Sequence, residues 1–142
     1  ESLGKKGKGL MPLISTAPKD HHSLLQLYLE GPKDKLFYIF TGDTINKTVI
    51  KKNIFGKKFD FIKNKKAEKI VQAQKKALIK VLQNKKIPFR EIHINKFNEE
   101  TIGELFSYFI LETVLLGKSL NIDPFNQPAV EEVKILTKKY LT

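Results

Sequence analysis

Two long segments of the chain carry apolar residues at intervals of three or four positions, the period of an α-helix. The first predicts a helix over residues 65–84 with lysines around its other faces. The second predicts a helix capped by Asn98, with Glu99 and Glu100 in its first turn and Gly117 at its end. The apolar stripes are Ala67, Ile70, Val71, Ala77, Leu78, Val81 and Leu82 in the first helix, and Ile102, Leu105, Phe106, Phe109, Ile110 and Thr113 in the second.

Three short segments are predicted as strands, over residues 10–16, 36–40 and 88–94. The segment over residues 36–40 is apolar on both faces, as expected in a sheet that is covered on two sides. Between the second segment and the first long helix, residues 41–64 are irregular. We expect an edge hairpin there, formed by residues 49–50 and 59–61.

Two further helices complete the predicted order of elements. Asp20 or Ser23 can cap a helix that runs to about Glu30, before a Gly-Pro stop. The last helix has Pro128 in its first turn and is expected to bury Ala129, Val133, Leu136 and Tyr140. Strands that alternate with amphipathic helices predict a three-layer α/β/α sandwich with a mostly parallel sheet, as one domain over residues 1–142. Ligands of such sheets gather beyond the carboxyl ends of the strands, where the loop after the first predicted strand carries His22.

Composition narrows the class of protein. The chain has 142 residues, no cysteine, and a net charge of +11, with Arg90 as its only arginine. Without cysteine there is no disulfide framework and no thiolate metal site, which fits a cytoplasmic protein. No apolar run approaches the roughly 20 residues that a membrane-spanning helix needs. Nucleic-acid sites favour arginine for its bidentate hydrogen bonds, so we interpret the lysine excess as solvated surface.

Three segments carry candidate chemistry. Residues 1–5 read Glu-Ser-Leu-Gly-Lys, residues 20–23 read Asp-His-His-Ser, and residues 125–134 read Phe-Asn-Gln-Pro-Ala-Val-Glu-Glu-Val-Lys. Gln127 and Lys134 are seven positions apart, so on a helix they share one face, about 10 Å apart along its axis. A lone terminal Glu is ordinarily solvated, and a His near a helix start is ordinarily structural. The order and spacing of all three segments favour a functional interpretation instead.

Together these segments resemble the C-terminal active-site segments of the glucose-6-phosphate isomerase family, whose second sugar-isomerase (SIS-type) domain is an α/β sandwich. The resemblance spans the whole chain. It implies an aldose–ketose isomerase of glycolysis and gluconeogenesis that acts on a sugar phosphate through a cis-enediol, without a cofactor or a metal. Two positions differ from the family signature, because Asn126 replaces Asp and Ala129 replaces Gly. Neither change removes a proposed reacting group.

The resemblance also assigns roles. Glu1 would be the base that moves a proton between C2 and C1. His22 would assist ring opening from across a homodimer interface, and Lys134 would act at the same end of the substrate. Gln127 would help to bind the sugar phosphate. Aligning Asp20 and Ser23 with the family pattern makes His22 the family histidine, whereas the role of His21 stays open.

The family's first domain, its phosphate-binding loop and an arginine that stabilises the enediolate would all precede residue 1. We therefore interpret the start at Glu, instead of Met, as a cut, and we expect the chain alone to be almost inactive. Two alternatives stay open. One is a SIS-like module that binds sugar phosphates without catalysis, and the other is a basic nucleic-acid-binding domain, which the scarcity of arginine argues against.

Overall fold

The computed structural model describes residues 2–42, 48–52 and 56–142. The chain divides into two compact units, each described here by itself. The terminal unit consists of Glu1–Leu13 and Asn98–Thr142, and the central unit is Ile14–Phe97. The prediction of one domain over residues 1–142 stays a prediction.

The central unit contains a pair of parallel strands joined through a helix. Its elements are α1 (His21–Glu30), β1 (Phe37–Gly42), a 3-10 helix (Lys57–Ile62), α2 (Ala67–Asn84) and β2 (Phe89–Ile94). The strands are in register from Phe37 opposite Phe89 to Gly42 opposite Ile94. Parallel strands require a long crossover, and α2 lies within it. This arrangement confirms the predicted α/β class with a parallel sheet.

The core of the central unit lies where α2 turns into β2. Leu82 is fully buried and Ile87 is nearly so. Lys86 adopts a left-handed conformation with φ of 54°, and the N–H of Ile87 donates to the carbonyl of Leu82 at 3.0 Å. This is the left-handed termination that satisfies helix-end carbonyls and tucks the next apolar residue inward.

The terminal unit contains α3 (Glu99–Leu120) and α4 (Pro128–Leu141). The side chain of Asn98 caps α3 as predicted, accepting a hydrogen bond from the N–H of Thr101 at 3.0 Å. Asn121 ends α3 in a left-handed conformation, and the buried Ile122 donates its N–H to the carbonyl of Gly117 at 2.8 Å. The helix therefore extends past Gly117, which was expected to end it.

The predicted strand over residues 10–16 is wrong. The structure assigns no strand there, and the apolar side chains are exposed, with Ile14 at 96%. The described sheet has only β1 and β2, so this segment has no ladder to join. Apolar character favours a strand only where a neighbouring strand can take up its backbone hydrogen bonds.

The predicted hairpin is also wrong. Its second arm, residues 59–61, lies in the 3-10 helix, and Val49 instead forms an isolated antiparallel bridge with Lys66. Residues 43–47 and 53–55, which belong to the same irregular stretch, lie outside the described residues.

Helix α4 forms as predicted, but its burial does not follow the prediction. All of its residues are exposed, including Ala129, Val133, Leu136 and Tyr140. Within the terminal unit, α3 and α4 share no extensive contact, so nothing described there covers the apolar stripe of α4. None of the described helices is long and apolar enough to cross a bilayer.

Candidate active site

Gln127 and Lys134 are both placed by α4. Gln127 is the residue before the helix, and its backbone carbonyl accepts hydrogen bonds from the N–H groups of Val130 at 3.1 Å and Glu131 at 3.3 Å. Pro128 follows in the first turn, where its missing N–H costs nothing. The side-chain amide of Gln127 makes no capping bond to the helix. It is therefore available to a ligand at the helix start.

Lys134 forms an ion pair on the helix surface. Its Nζ lies 2.6 Å from Oε1 of Glu131, one turn earlier, and the two side chains are 65% and 63% exposed. Such an exposed pair contributes little to stability, about 0.5 kcal/mol, so it is easily broken. The ammonium can leave Glu131 for a substrate oxygen at small cost.

The loop between α3 and α4 is ordered by Asp123. Its Oδ1 accepts a hydrogen bond from the N–H of Phe125 at 2.8 Å, and its Oδ2 accepts one from Nδ2 of Asn126 at 2.7 Å. Asp side chains that bond to the backbone two residues later form a tight turn of this kind. The two residues directly before Gln127 are thus both held by a single carboxylate.

The same loop lies close against α3. A Cβ added to Gly117 would lie 3.1 Å from the carbonyl oxygen of Ile122 and 3.1 Å from Cγ of Pro124. Gly117 is buried by this approach. Its missing side chain is what allows the loop that leads to Gln127 to fold back on the helix.

The start of the chain forms a compact loop. The N–H of Lys8 donates to the carbonyl of Lys5 at 2.9 Å, and Lys6 and Gly7, between them, have φ of 53° and 69°. Positive φ at both central residues is the signature of a type I′ turn. Gly9, with φ of 110°, packs so close to Gly4 that an added Cβ would lie 2.8 Å from the Gly4 Cα.

Three lysines of this loop point to the end of α3. Lys8 donates to the carbonyl of Leu120 at 3.0 Å, Lys6 donates to that of Asn121 at 3.4 Å, and Lys5 donates to that of Asp123. The segment after Glu1 therefore lies against the loop before Gln127, although Lys5 and Asp123 are 118 positions apart. An open hollow of about 510 Å³ lies beside them, lined by Lys6, Lys118 and Phe125 among others.

His22 lies in the central unit, in the first turn of α1, and its side chain is exposed. Its expected position in a loop after a first strand is wrong, because residues 2–20 contain no strand. Asp20 does not cap α1 with its side chain. Its Oδ2 instead accepts a hydrogen bond from the N–H of Thr16 at 2.6 Å, and its carbonyl accepts one from Oγ of Ser23 at 3.5 Å.

His93 is the histidine at the carboxyl end of the parallel strands. Its Nδ1 lies 2.9 Å from Oγ1 of Thr41, the residue opposite it in the register. This contact links β1 to β2, so His93 has a structural partner within the strand pair.

Of the four predicted site residues, Lys134 lies on α4 and Gln127 is the residue directly before that helix. His22 lies in the other unit, and Glu1 lies outside the described residues. The set as a whole stays a prediction. Among the described residues, no group of three or more His, Asp or Glu side chains could hold a metal ion.

Two residues of this region were missed by the sequence interpretation. Lys5 ends the Glu-Ser-x-Gly-Lys segment, and Asp123 lies two positions before the signature that begins at Phe125. Both were inside or beside recognised segments, but only the reacting groups were given roles. What identifies them is the contact between Lys5 and the carbonyl of Asp123, and this contact can be seen only in the folded structure.

The chain has a structural counterpart among solved structures. A hypothetical protein of Thermus thermophilus matches with a TM-score of 0.77 and 25% identity, over 89% of this chain and 31% of that chain. This match supports the α/β fold class. No family model matches the chain.

Curated relatives specify the class further. The chain is 37% identical over 140 residues to the glucose-6-phosphate isomerase of Methanocaldococcus jannaschii, covering 94% of this chain and 33% of that protein. It is 32% identical over 142 residues to a probable glucose-6-phosphate isomerase of Methanococcus maripaludis, and the match covers 100% of this chain and 32% of that protein. The chain thus spans about a third of the length of the relatives it matches. The resemblance to glucose-6-phosphate isomerases is confirmed over nearly all of the chain.

Proposed function

We propose that the chain is the C-terminal part of an isomerase that interconverts glucose 6-phosphate and fructose 6-phosphate, and that it works in the cytoplasm, in glycolysis and gluconeogenesis. The names of the relatives support this activity. The observation that carries the proposal is the bond from Lys5 to the carbonyl of Asp123. It joins the segment of the proposed base to the loop that leads to the proposed substrate-binding amide.

The proposed mechanism needs one carboxylate for the isomerisation. Glu1 removes the proton from C2 of the open-chain aldose. The electron pair forms the C1–C2 double bond while the C1 carbonyl π bond breaks and O1 takes up a proton, which gives a cis-enediol. The same group then returns the proton to C1, on the same face of the planar intermediate, while O2 gives up its proton and forms the C2 carbonyl of the ketose. A carboxylate that is close to the substrate can serve as base and acid in turn.

Ring opening and binding use the other three residues. Lys134 and His22 exchange protons with the ring oxygen and the anomeric hydroxyl, and imidazole suits this because its ordinary pKa lies near neutrality. Gln127 binds the phosphate from the start of α4, where the helix dipole favours an anion. His22 comes from a second copy of the chain in a homodimer, and its exposed side chain is accessible to such a partner.

The chain alone lacks groups that this chemistry needs. Stabilising the charge of an enediolate generally requires fixed cationic or hydrogen-bonding groups. Arg90, the only arginine, places its guanidinium over the ring of Tyr38 at 5.2 Å. We therefore propose that the remaining groups come from a preceding domain, and that the chain of 142 residues turns over little substrate by itself.

The test compares the chain alone with the chain expressed together with its upstream coding sequence. A coupled assay from fructose 6-phosphate should detect turnover only in the longer polypeptide. Lys134→Met should lower kcat by about 100-fold, in the range of a lost acid–base group. Lys138→Met, on the last turn of the same helix, is the matched control and should leave kcat unchanged.

Each part of the proposal has its own contrary result. A normal rate from the chain alone would defeat the need for a preceding domain. A longer polypeptide that binds fructose 6-phosphate but stays inert would support a sugar-phosphate binding module without catalysis. A full rate in Lys134→Met would remove Lys134 from the mechanism.

A further inference from the structure

The loop over residues 2–9 is bound to the end of α3 by three cations. The ammonium groups of Lys5, Lys6 and Lys8 donate to three carbonyls between positions 120 and 123. Lys5 is half-buried, whereas Lys6 and Lys8 are exposed. The three contacts converge on one helix end, so they act as a single clamp, which we call the lysine clamp.

A helix end explains why the lysines gather there. The last carbonyls of a helix lack partners within it and carry a partial negative charge. In α3, the carbonyl of Gly117 accepts a hydrogen bond from the N–H of Ile122, and the carbonyl of Lys118 accepts one from the N–H of Asn121. The carbonyl of Leu120, two positions after Lys118, receives its hydrogen bond from Lys8. The lysine clamp therefore adds to the hydrogen bonding of this end, which gives the N-terminal loop a defined place.

Lys5 differs from the other two because of its acceptor. Asp123 is beyond the helix, and its carboxylate orders Phe125 and Asn126. A contact at the Asp123 carbonyl therefore acts on the turn that leads directly to Gln127.

We propose that Lys5 is a positioning residue, which holds the segment of the Glu1 base at a fixed place relative to Gln127 through the carbonyl of Asp123. This inference rests on the proposed function. Lys5 itself does not touch the substrate. It acts by fixing the distance between a base and a binding group, and misplacement by about 1 Å can lower a rate by about 100-fold.

The contact is tested first in the chain of 142 residues, without reference to activity. Amide hydrogen exchange at Phe125, whose N–H donates to Oδ1 of Asp123, is compared between the wild type, Lys5→Met and Lys5→Arg. We expect exchange about three- to tenfold faster in Lys5→Met, because local opening becomes easier when a tether is lost. Lys5→Arg keeps the charge and the reach and should restore slow exchange.

Lys19→Met is the matched control for the loss of one charge. Lys19 is exposed in the central unit, and no partner is assigned to it among the described residues. It should leave exchange at Phe125 unchanged. Unchanged exchange in Lys5→Met as well would overturn the inference, whatever the kinetics show.

The role in catalysis is tested in the longer polypeptide. Lys5→Met should lower kcat about tenfold or more while KM for fructose 6-phosphate changes less than about twofold, and Lys5→Arg should recover most of kcat. Equal kcat in Lys5→Met and Lys19→Met would overturn the positioning role. If the wild type is inert but Lys5→Met still exchanges faster, the contact stands, whereas the positioning role and the proposed isomerase both fail.

Discussion

The two glycines of α3 allow a direct test of how the loop before Gln127 is held. Gly103 and Gly117 lie in the same helix, but only one of them has neighbours. A Cβ at Gly103 would meet nothing within 4 Å, whereas a Cβ at Gly117 would meet Ile122 and Pro124 at 3.1 Å. The same substitution at the two sites therefore isolates the cost of the loop contact from the gain in helix propensity.

The expected magnitudes follow from these distances. Gly103→Ala should raise the free energy of unfolding by about 1 kcal/mol, the difference in helix propensity between alanine and glycine. Gly117→Ala gains the same propensity but must push the loop back by a few tenths of an ångström, so its net gain should be smaller. Gly117→Val adds two more carbons at the contact and should cost roughly 1–3 kcal/mol, as in other overpacked sites.

Urea unfolding followed by circular dichroism measures these differences, with amide exchange at Phe125 as a local reading. Gly103→Val is the control for the β-branched side chain and should change stability by less than about 0.5 kcal/mol. Equal stabilities of Gly117→Val and Gly103→Val, with unchanged exchange in both, would refute the view that Gly117 admits the loop.

Three further predictions concern single contacts. Lys6→Gly removes the Cβ penalty of the left-handed conformation but also the bond from Lys6 to the carbonyl of Asn121, so it should raise the free energy of unfolding by less than about 1 kcal/mol; a loss in urea unfolding would contradict this. Asn98→Ala should lower it by about 1 kcal/mol through loss of the bond to the Thr101 N–H, and Asn98→Asp should restore it, as urea unfolding of the two variants would show. The hydrogen bond from Lys85 lowers the pKa of Glu30 below its ordinary 4.5, so this pair stabilises the fold above that pH and ceases to do so as the pH falls through the lowered pKa. Glu30→Gln should therefore weaken the fall in stability below pH 4.5 in acid titrations, and an identical acid profile would contradict the assignment.

Much of the fold could be predicted because its signals are local. The stripe from Ala67 to Leu82 marks α2 within two residues of its observed start, and Asn98 caps α3 as its position predicts. Strand β1 was found from a short apolar run and β2 from the short segment that follows α2, and each has the other to pair with. These elements depend on their own sequence and on one neighbour.

The wrong predictions concern features that depend on distant parts of the chain. Residues 10–16 have the composition of a strand but no ladder partner among the described residues, and α4 has an apolar stripe that nothing described in its unit covers. The end of α3 was missed for another reason. Asn121 takes the left-handed position that glycine usually holds, so the sequence carries no glycine to mark it.

In the candidate site, too, the sequence indicates local relations but not contacts between distant segments. Helical spacing predicted that Gln127 and Lys134 share one face, but Gln127 lies directly before α4 with a non-helical backbone, so their shared face stays a prediction. The relation of residues 2–9 to Asp123 could not be predicted, because the two segments are separated by nearly the whole chain. Lysine is also the most common cation here, so nothing in the sequence distinguishes Lys5 from the solvated ones.

The contacts of Lys5, Lys6 and Lys8 have a practical consequence for chemical labelling. Reagents that acylate amines remove the positive charge and most of the donors, so they would release the N-terminal loop from the end of α3. Reductive methylation keeps the charge and one donor. Surface chemistry that is harmless to most lysines of this chain would thus alter its structure at these three, and methylation is the gentler choice for crystallisation.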